Sequence, residues 1–273
     1  MALDETTHQT KRRIKLSQEG VVTLIAAALF VVFSVFLNNF LTQGNLLSLL
    51  KNVAILGTLA VGMGFIVVGR GIDLTMVAVM VVGVAFAIWL STQGFGFGEA
   101  ILIGGVLVAL CGLITGILIA VAEVPPIFAT LAMASIVYGG GRVAFNSDVL
   151  YAPAGITWLT AIGSGTLLGI PYSILIFAAI AALVALFLGL TRFGRFVYAT
   201  GDNPHAARTM GLPTRPVQIS QYVVAALIAY AAGILMTGLV SGINTRLYNS
   251  TLIYDVLLVV VLGGISLSGG QGS

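Results

Sequence analysis

Charge is what this sequence has least of. Only 8% of its 273 residues are Asp, Glu, Lys or Arg, against roughly 25% in an average soluble domain. Twelve basic and nine acidic side chains cannot cover a 28.3 kDa fold in water, whereas a surface facing lipid needs none. The scarcity excludes a soluble enzyme, a nucleic-acid binder and a disordered chain. A net charge of +3 and a pI of about 9.2 are too slight for a nucleic-acid partner and fit basic loops on the cytoplasmic face of a membrane protein. The single cysteine, Cys111, rules out an internal disulfide. The two histidines, His8 and His205, stand apart with no partner cluster, so no metal site is expected. None of the three lysines follows a glycine, so there is no Walker A phosphate loop. No catalytic residue and no cofactor of its own are expected. If ATP drives this protein, another chain hydrolyses it.

What the chain does have is apolar length. Hydrophobic residues make up 59% and the mean hydropathy is +1.10. Charge is absent between Glu19 and Lys51, Asp73 and Glu99, Glu99 and Glu123, Glu123 and Arg142, Asp148 and Arg192, and Arg215 and Arg246. A spanning helix needs ~20 mostly apolar residues. The gaps predict transmembrane helices at about 21–38, 53–69, 74–91, 100–122, 126–145, 172–190 and 217–240. The run before Gly263 is too short to cross alone, so it is either a tilted eighth helix starting near Thr251 or a broken half-helix. The fold expected is all-α and polytopic, with about eight spans present. Residues 1–20 read as a cytoplasmic tail and 21–273 as the transmembrane domain. With the N-terminus inside, nine basic residues fall on the cytoplasmic side and three (Lys51, Arg142, Arg246) outside. Loop 191–216, with Arg192, Arg195, Arg208 and Arg215, is then cytoplasmic, and 146–170 extracytoplasmic.

Four local features stand out. Gly69-Arg70-Gly71-Ile72-Asp73-Leu74-Thr75 places two charges between apolar runs. It is either a solvated turn or a helix break facing a transport pathway, because charge in hydrocarbon is costly. Val124-Pro125-Pro126-Ile127-Phe128-Ala129-Thr130 reads as a sharp helix start, either plain punctuation or a pathway-lining entry. The glycine-rich end from Gly263 reads as an unwound segment packed at membrane depth or as a flexible terminus. In the loop 194–212, Asp202 or Asn203 caps a short helix, Pro204 sits in its first turn, Ala206, Ala207 and Met210 give it an apolar face, and Gly211 stops it. Such a helix suits docking into a groove on a soluble partner, or lying on anionic lipid through its arginines. GxxxG pairs (Gly94/Gly98, Gly112/Gly116, Gly165/Gly169, Gly238/Gly242) are no more frequent than chance predicts among 34 glycines, so they identify no particular dimer face, although the glycine content itself fits close helix packing.

Taken in order, these features resemble permease subunits of ribose-type ABC importers, in the superfamily shared with branched-chain amino-acid permeases. Asn45-Leu46-Leu47, Ala60-Val61-Gly62-Met63, Gly71-Ile72-Asp73-Leu74, Pro125-Pro126, Gly201 with Asn203 and Ala206-Ala207, and Gly263-Gly264 through Ser268-Gly269-Gly270 carry the resemblance. It implies a ten-span bundle whose pattern runs two spans beyond Gly272-Ser273. It implies an ATPase-coupling segment at Gly194, Gly201, Asn203, Ala206, Ala207 and Gly211, and a substrate pathway touching Asp73, Thr75, Phe128 and Thr130. The implied partners are a second permease (identical or related), ATPase subunits that bind ATP and Mg, an extracytoplasmic solute-binding protein and membrane lipid. The implied place is the bacterial inner membrane and the implied cargo a sugar or polyol. A stand-alone secondary transporter is the rival, but it would place an ionisable coupling residue mid-span, where this chain has charge-free gaps.

Overall fold

The computed structural model describes residues 18–145, 149–265 and 269–270. Residues 1–17, most of the expected tail, lie outside them, as do Ser266–Ser268 and 271–273 of the glycine-rich end. Eleven helices are formed among the described residues: α1 (Gln18–Phe36), α2 (Gln43–Val68), α3 (Met76–Thr92), α4 (Phe97–Ala120), α5 (Pro126–Phe145), α6 (Thr157–Ser164), α7 (Tyr172–Leu190), α8 (Arg192–Asp202), α9 (Pro204–Thr209), α10 (Thr214–Val240) and α11 (Leu252–Leu262). Five of them (α2, α4, α5, α7 and α10) are long and apolar enough to cross a membrane, with α1, α3 and α11 shorter. The all-α polytopic expectation holds. Helix α2 starts ten residues earlier than the expected 53 because Lys51 does not end it. That side chain is half-buried eight residues into the helix, where a long apolar stem can carry its ammonium toward the interface.

Helix α3 is the axis of the bundle. It is almost uniformly apolar, and 13 of its 17 residues are buried, so it has no outward stripe. Helices α4, α5 and α10 surround it. Helix α10 lies along α4 and crosses α2. Glycines set that closeness. A Cβ on Gly112 would stand 2.7 Å from the Tyr222 carbonyl oxygen, and one on Gly116 would stand 2.7 Å from the Ile219 Cα. The Gly112/Gly116 pair is therefore a real α4–α10 contact, contrary to its statistical anonymity in the sequence. Van der Waals contact between backbones supplies the attraction that hydrophobic burial cannot supply in lipid. Helix α7 is peripheral and leans on α2, and Ser173 is its one buried residue among those described.

The last span is broken. Helix α11 has 11 residues, ~16 Å of rise, about half of the ~30 Å hydrocarbon core. It ends at Gly263, and Gly264 turns the chain with φ +86°. The segment then reaches α2, where the Gly270 N–H donates to the Val68 carbonyl at 3.0 Å. The half-helix reading holds, and of the glycine-rich end the described residues Gly269 and Gly270 are packed against α2 and α8.

Contacts between loops sort them onto two ends of the bundle. At one end, Glu123 stands 3.8 Å from both Arg208 and Arg215, and Gln18 Nε2 donates to the Val261 carbonyl at 2.9 Å. At the other, Val149–Tyr151 (β1) pairs antiparallel with Gly242–Asn244 (β4). There Tyr138 and Tyr248 stack with centroids 4.4 Å apart, and a small hairpin joins Thr166–Leu167 (β2) to Ile170–Pro171 (β3). The start of α1 thus shares an end with α8 and α9, as the helix count requires. A test of the α4–α10 packing follows: Gly116→Val should cost about 1–3 kcal/mol of stability, read as a lower thermal midpoint in detergent. Gly98→Val, at a site with nothing within 4 Å, should leave the midpoint unchanged.

Candidate functional site

At the end of α2, the Gly71 N–H donates to the Ile66 carbonyl at 3.0 Å and the Arg70 N–H to that of Val67 at 2.9 Å. This is the paired closure of a Schellman turn. The left-handed position, usually glycine, is Arg70 at φ +67°, a conformation costing roughly 1 kcal/mol for an L-residue. The flanking glycines answer to space. A Cβ on Gly69 would enter the Gln221 amide, and one on Gly71 would lie 2.8 Å from the Tyr222 hydroxyl. Gln221 itself is buried and donates to the Phe65 carbonyl at 3.3 Å. Sequence reading passed over Gln221 and Tyr222, although a glutamine inside a 30-residue uncharged run was a visible signal.

Asp73 is only 1% exposed, so the solvated-turn reading fails. Its carboxylate accepts from the Thr75 N–H at 2.8 Å and from the Thr75 hydroxyl. Among the described residues no ion pair reaches it. The carboxylate instead stands at the N-terminus of α3, where the positive end of the helix dipole favours an anion. Thr75 is buried with it, and its carbonyl accepts the first helical bond of α3 from Val79. Asp73 and Thr75 thus convert an unwound strand of chain into a helix start.

The loop 191–216 contains two helices rather than one. Helix α8 opens at Thr191, whose Oγ1 accepts the Gly194 N–H at 3.0 Å. Gly194 must be glycine because a Cβ there would run into the Leu188 backbone. The break comes at Asn203, not Asp202: its Oδ1 accepts from His205 N–H at 3.1 Å and Ala206 N–H at 3.0 Å, with Pro204 at the first position. Gly211 stops α9 at φ +78°. The apolar face differs from the sequence expectation. Ala207 is 0% exposed and faces this chain, since α9 packs on α8 and α10. Ala206 is exposed and Met210 is 70% exposed, so these two form the open face.

The structure brings three of the four sequence features to one place. Gly201 on α8 approaches the Val68 carbonyl so closely that a Cβ would strike it, and that Cβ would also lie 2.9 Å from the Gly270 nitrogen. A Cβ on Gly269 would meet Arg70 Cβ at 2.7 Å, and one on Gly270 would meet Asp202 Cα at 2.7 Å. The end of α2, the end of α8 and the segment 269–270 therefore approach backbone to backbone at the glycines, beside a side-chain cluster of Val68, Val197 and Val217. Both Gly269 and Gly270 have positive φ (+80° and +74°), which suits glycine on a second ground.

The fourth feature borders this junction: Ala129 and Val124 pack with Ile66 of α2 and Tyr222 of α10. Pro126 begins α5 as plain punctuation. Thr130 is buried and its hydroxyl donates back to the Pro126 carbonyl at 2.8 Å, whereas Phe128 is 68% exposed on the outer surface. Two residues apart on a helix, they face opposite ways. Phe128 and Thr130 therefore form no single lining. Among the described residues, no group of three metal-ligating side chains occurs.

Substitutions at the junction should separate its parts. Asp73→Ala should cost about 1–3 kcal/mol by stranding the buried Thr75 N–H and hydroxyl, while Asp73→Asn keeps an acceptor and should cost less than half of that, read by thermal unfolding. Gly201→Val should lower the midpoint by more than either, whereas Gly189→Ala, with nothing within 4 Å, should not move it.

Residues 45–270 match the family described as the permease component of the branched-chain amino acid transport system. A fructose import permease protein of Rhizobium meliloti is 30% identical, the alignment covering 100% of this chain and 78% of that one. A ribose import permease protein of Bacillus subtilis is 32% identical over 89% of this chain and 76% of its own. An L-arabinose ABC transporter permease protein of Azospirillum brasilense is 29% identical over 93% and 74%. No solved structure matches. The relatives are transport components rather than enzymes, and the resemblance carried by the ordered motifs is borne out. With its helical, multi-pass architecture and a match across most of its length, the chain belongs to the family of branched-chain amino acid transport system permease components.

Proposed function

We propose that this chain is the membrane permease of an ATP-driven importer that carries a sugar or polyol across the bacterial cytoplasmic membrane. The relatives named for fructose, ribose and L-arabinose import support the cargo class. The observation that carries the mechanism is the glycine junction: the capped helix α9 follows α8, and α8 meets the end of α2 at Gly201 with backbone against backbone. A force applied to α9 by a partner reaches the start of the central helix α3 through rigid backbone.

Separate ATPase subunits hold ATP and Mg and dock on the face of α9 bearing Ala206 and Met210. Ala207 holds α9 to the permease from behind, so Ala206 rather than Ala207 is the residue to enlarge. Glu123, between Arg208 and Arg215, ties the α4–α5 turn to the same segment; exposed pairs of this kind contribute little stability but fix position. An extracytoplasmic binding protein delivers solute at the end formed by β1, β4 and α6. A second permease packs on the exposed stripe of α5, where Phe128, Leu131, Ser135, Ile136 and Gly139 recur at helical spacing. The N-terminus is cytoplasmic: Arg70, Arg192, Arg195, Arg208 and Arg215 gather at one end against Lys51, Arg142 and Arg246 at the other. A secondary transporter is disfavoured because Asp73, the one buried carboxylate among the described residues, serves a helix start.

Two measurements test this reading. In the assembled complex, Ala206→Trp should lower solute-stimulated ATP hydrolysis by about tenfold or more while the permease still inserts; normal stimulation would remove α9 from the docking surface. On a Cys111→Ala background, Tyr151→Cys (72% exposed) should react with a membrane-impermeant thiol reagent on intact cells, and Met210→Cys only after permeabilisation. The reverse pattern would invert the topology.

A further inference from the structure

The break between α2 and α3 is held from the side by two consecutive residues of α10. Gln221 and Tyr222 are 2% and 1% exposed, and each occupies the space beside one of the glycines that flank Arg70. A Cβ on Gly69 would run into the Gln221 amide, and one on Gly71 would lie 2.8 Å from the Tyr222 hydroxyl. Gln221 Nε2 donates to the Phe65 carbonyl, in the last turn of α2, at 3.3 Å. The Tyr222 hydroxyl donates to the Ile72 carbonyl, one residue before Asp73, at 3.5 Å. One contact is with the end of α2 and the next with the approach to α3.

Neighbouring side chains leave a helix about 100° apart, so α10 holds the break from two directions. Pivoting could preserve a single contact, but turning or sliding α10 would disturb both. The backbone of the same residues is fixed from behind, because a Cβ on Gly112 of α4 would meet the Tyr222 carbonyl at 2.7 Å and Val223 Cα at 2.9 Å. The Tyr222 ring packs with Ile66, Ile119 and Ala129. Gln221 stands about two turns from Thr214, where α10 begins after α9. Filling the space beside Gly69 needs no amide. An apolar side chain of similar length would fill it without the cost of burying a polar group. What the amide adds is a directed bond to α2.

We infer that Gln221 and Tyr222 are positioning residues for transport, which hold the start of α3 in register with α10 and deliver displacement of the α9–α10 segment to the central helix. This role rests on α9 being the segment on which the ATPase docks. The two residues add a side-chain route to the glycine joint at Gly201, which ends on Val68 of α2.

Amide hydrogen exchange in the assembled transporter, with and without a nonhydrolysable ATP analogue, reads this transmission without any solute. In the wild type, nucleotide should change protection at 203–209 and at 74–79, the entry to α3. Gln221→Met keeps the side-chain length and removes the donor. It should leave the change at 203–209 and the thermal midpoint as in the wild type, while the change at 74–79 falls on the order of tenfold. Tyr222→Phe removes one hydroxyl, leaves the ring packed, and should cut the response at 74–79 about threefold. It also carries the test should Gln221→Met fail to insert. A wild-type response at 74–79 in either variant, or no response there in the wild type, would overturn the inference. A response missing at 203–209 in the wild type would instead refute the docking reading, and this inference with it, so the two failures are distinguishable.

Discussion

Gly201 has no room for a side chain, and much of the architecture at its end of the bundle follows from that. Where α8 crosses the end of α2, the Val68 carbonyl occupies the volume a Cβ would need, and that same carbonyl accepts the Gly270 N–H at 3.0 Å. Three chain segments distant in sequence meet there at glycine backbone. Side-chain packing can slip by rotamer changes, but backbone in contact with backbone moves only as a body. The glycines at 201, 269 and 270 therefore make a joint with little give between α8 and the end of α2.

The same economy explains how so apolar a chain tolerates irregular backbone inside its membrane domain. Unsatisfied N–H and C=O groups are expensive in hydrocarbon, so an unwound segment survives only where protein satisfies it. Between α2 and α3 the Schellman closure, the Asp73 carboxylate and the Gln221 amide do this work. After α11, two glycine turns and the Val68 carbonyl do it. Both interruptions open toward the same end of the bundle, and both end on α8. The opposite end is held by the short β1–β4 ladder, the Tyr138–Tyr248 stack and a glycine contact of its own, where a Cβ on Gly163 of α6 would strike the Gly238 carbonyl of α10.

Much of this was legible in the sequence. Charge-free gaps placed α5 and α7 at their observed ends and α4 and α10 within a few residues, because the cost of a charge in lipid is large compared with helix propensity. The gap rule failed at Lys51, where a long stem lets a charge sit inside a helix without ending it. It also could not decide the last span, since the break depends on where the glycines pack. The cap of α9 was readable because Asn203-Pro204 and Gly211 are local signals. Which of Ala206 and Ala207 faces outward was not, since that depends on how α8 and α10 approach. Gly112 and Gly116 looked like chance for a related reason: a glycine's partner is a tertiary fact, and here it is the backbone of α10. Phe128 and Thr130 came from reading Pro125-Pro126 as a pathway-lining helix start, and the helix places them on opposite faces.

The central claim is that the end of α2, the end of α8 and the segment at 269–270 behave as one mechanical body. Amide hydrogen exchange in the assembled transporter, with and without a nonhydrolysable ATP analogue, tests it most directly. The amides of Arg70, Gly71, Asn203 and Gly270 should change protection together and by similar factors when nucleotide binds, since opening any one of these contacts opens its neighbours. A change confined to Asn203 and α9, with Arg70, Gly71 and Gly270 unaltered, would contradict a rigid joint and leave α9 as a docking knob without a lever behind it.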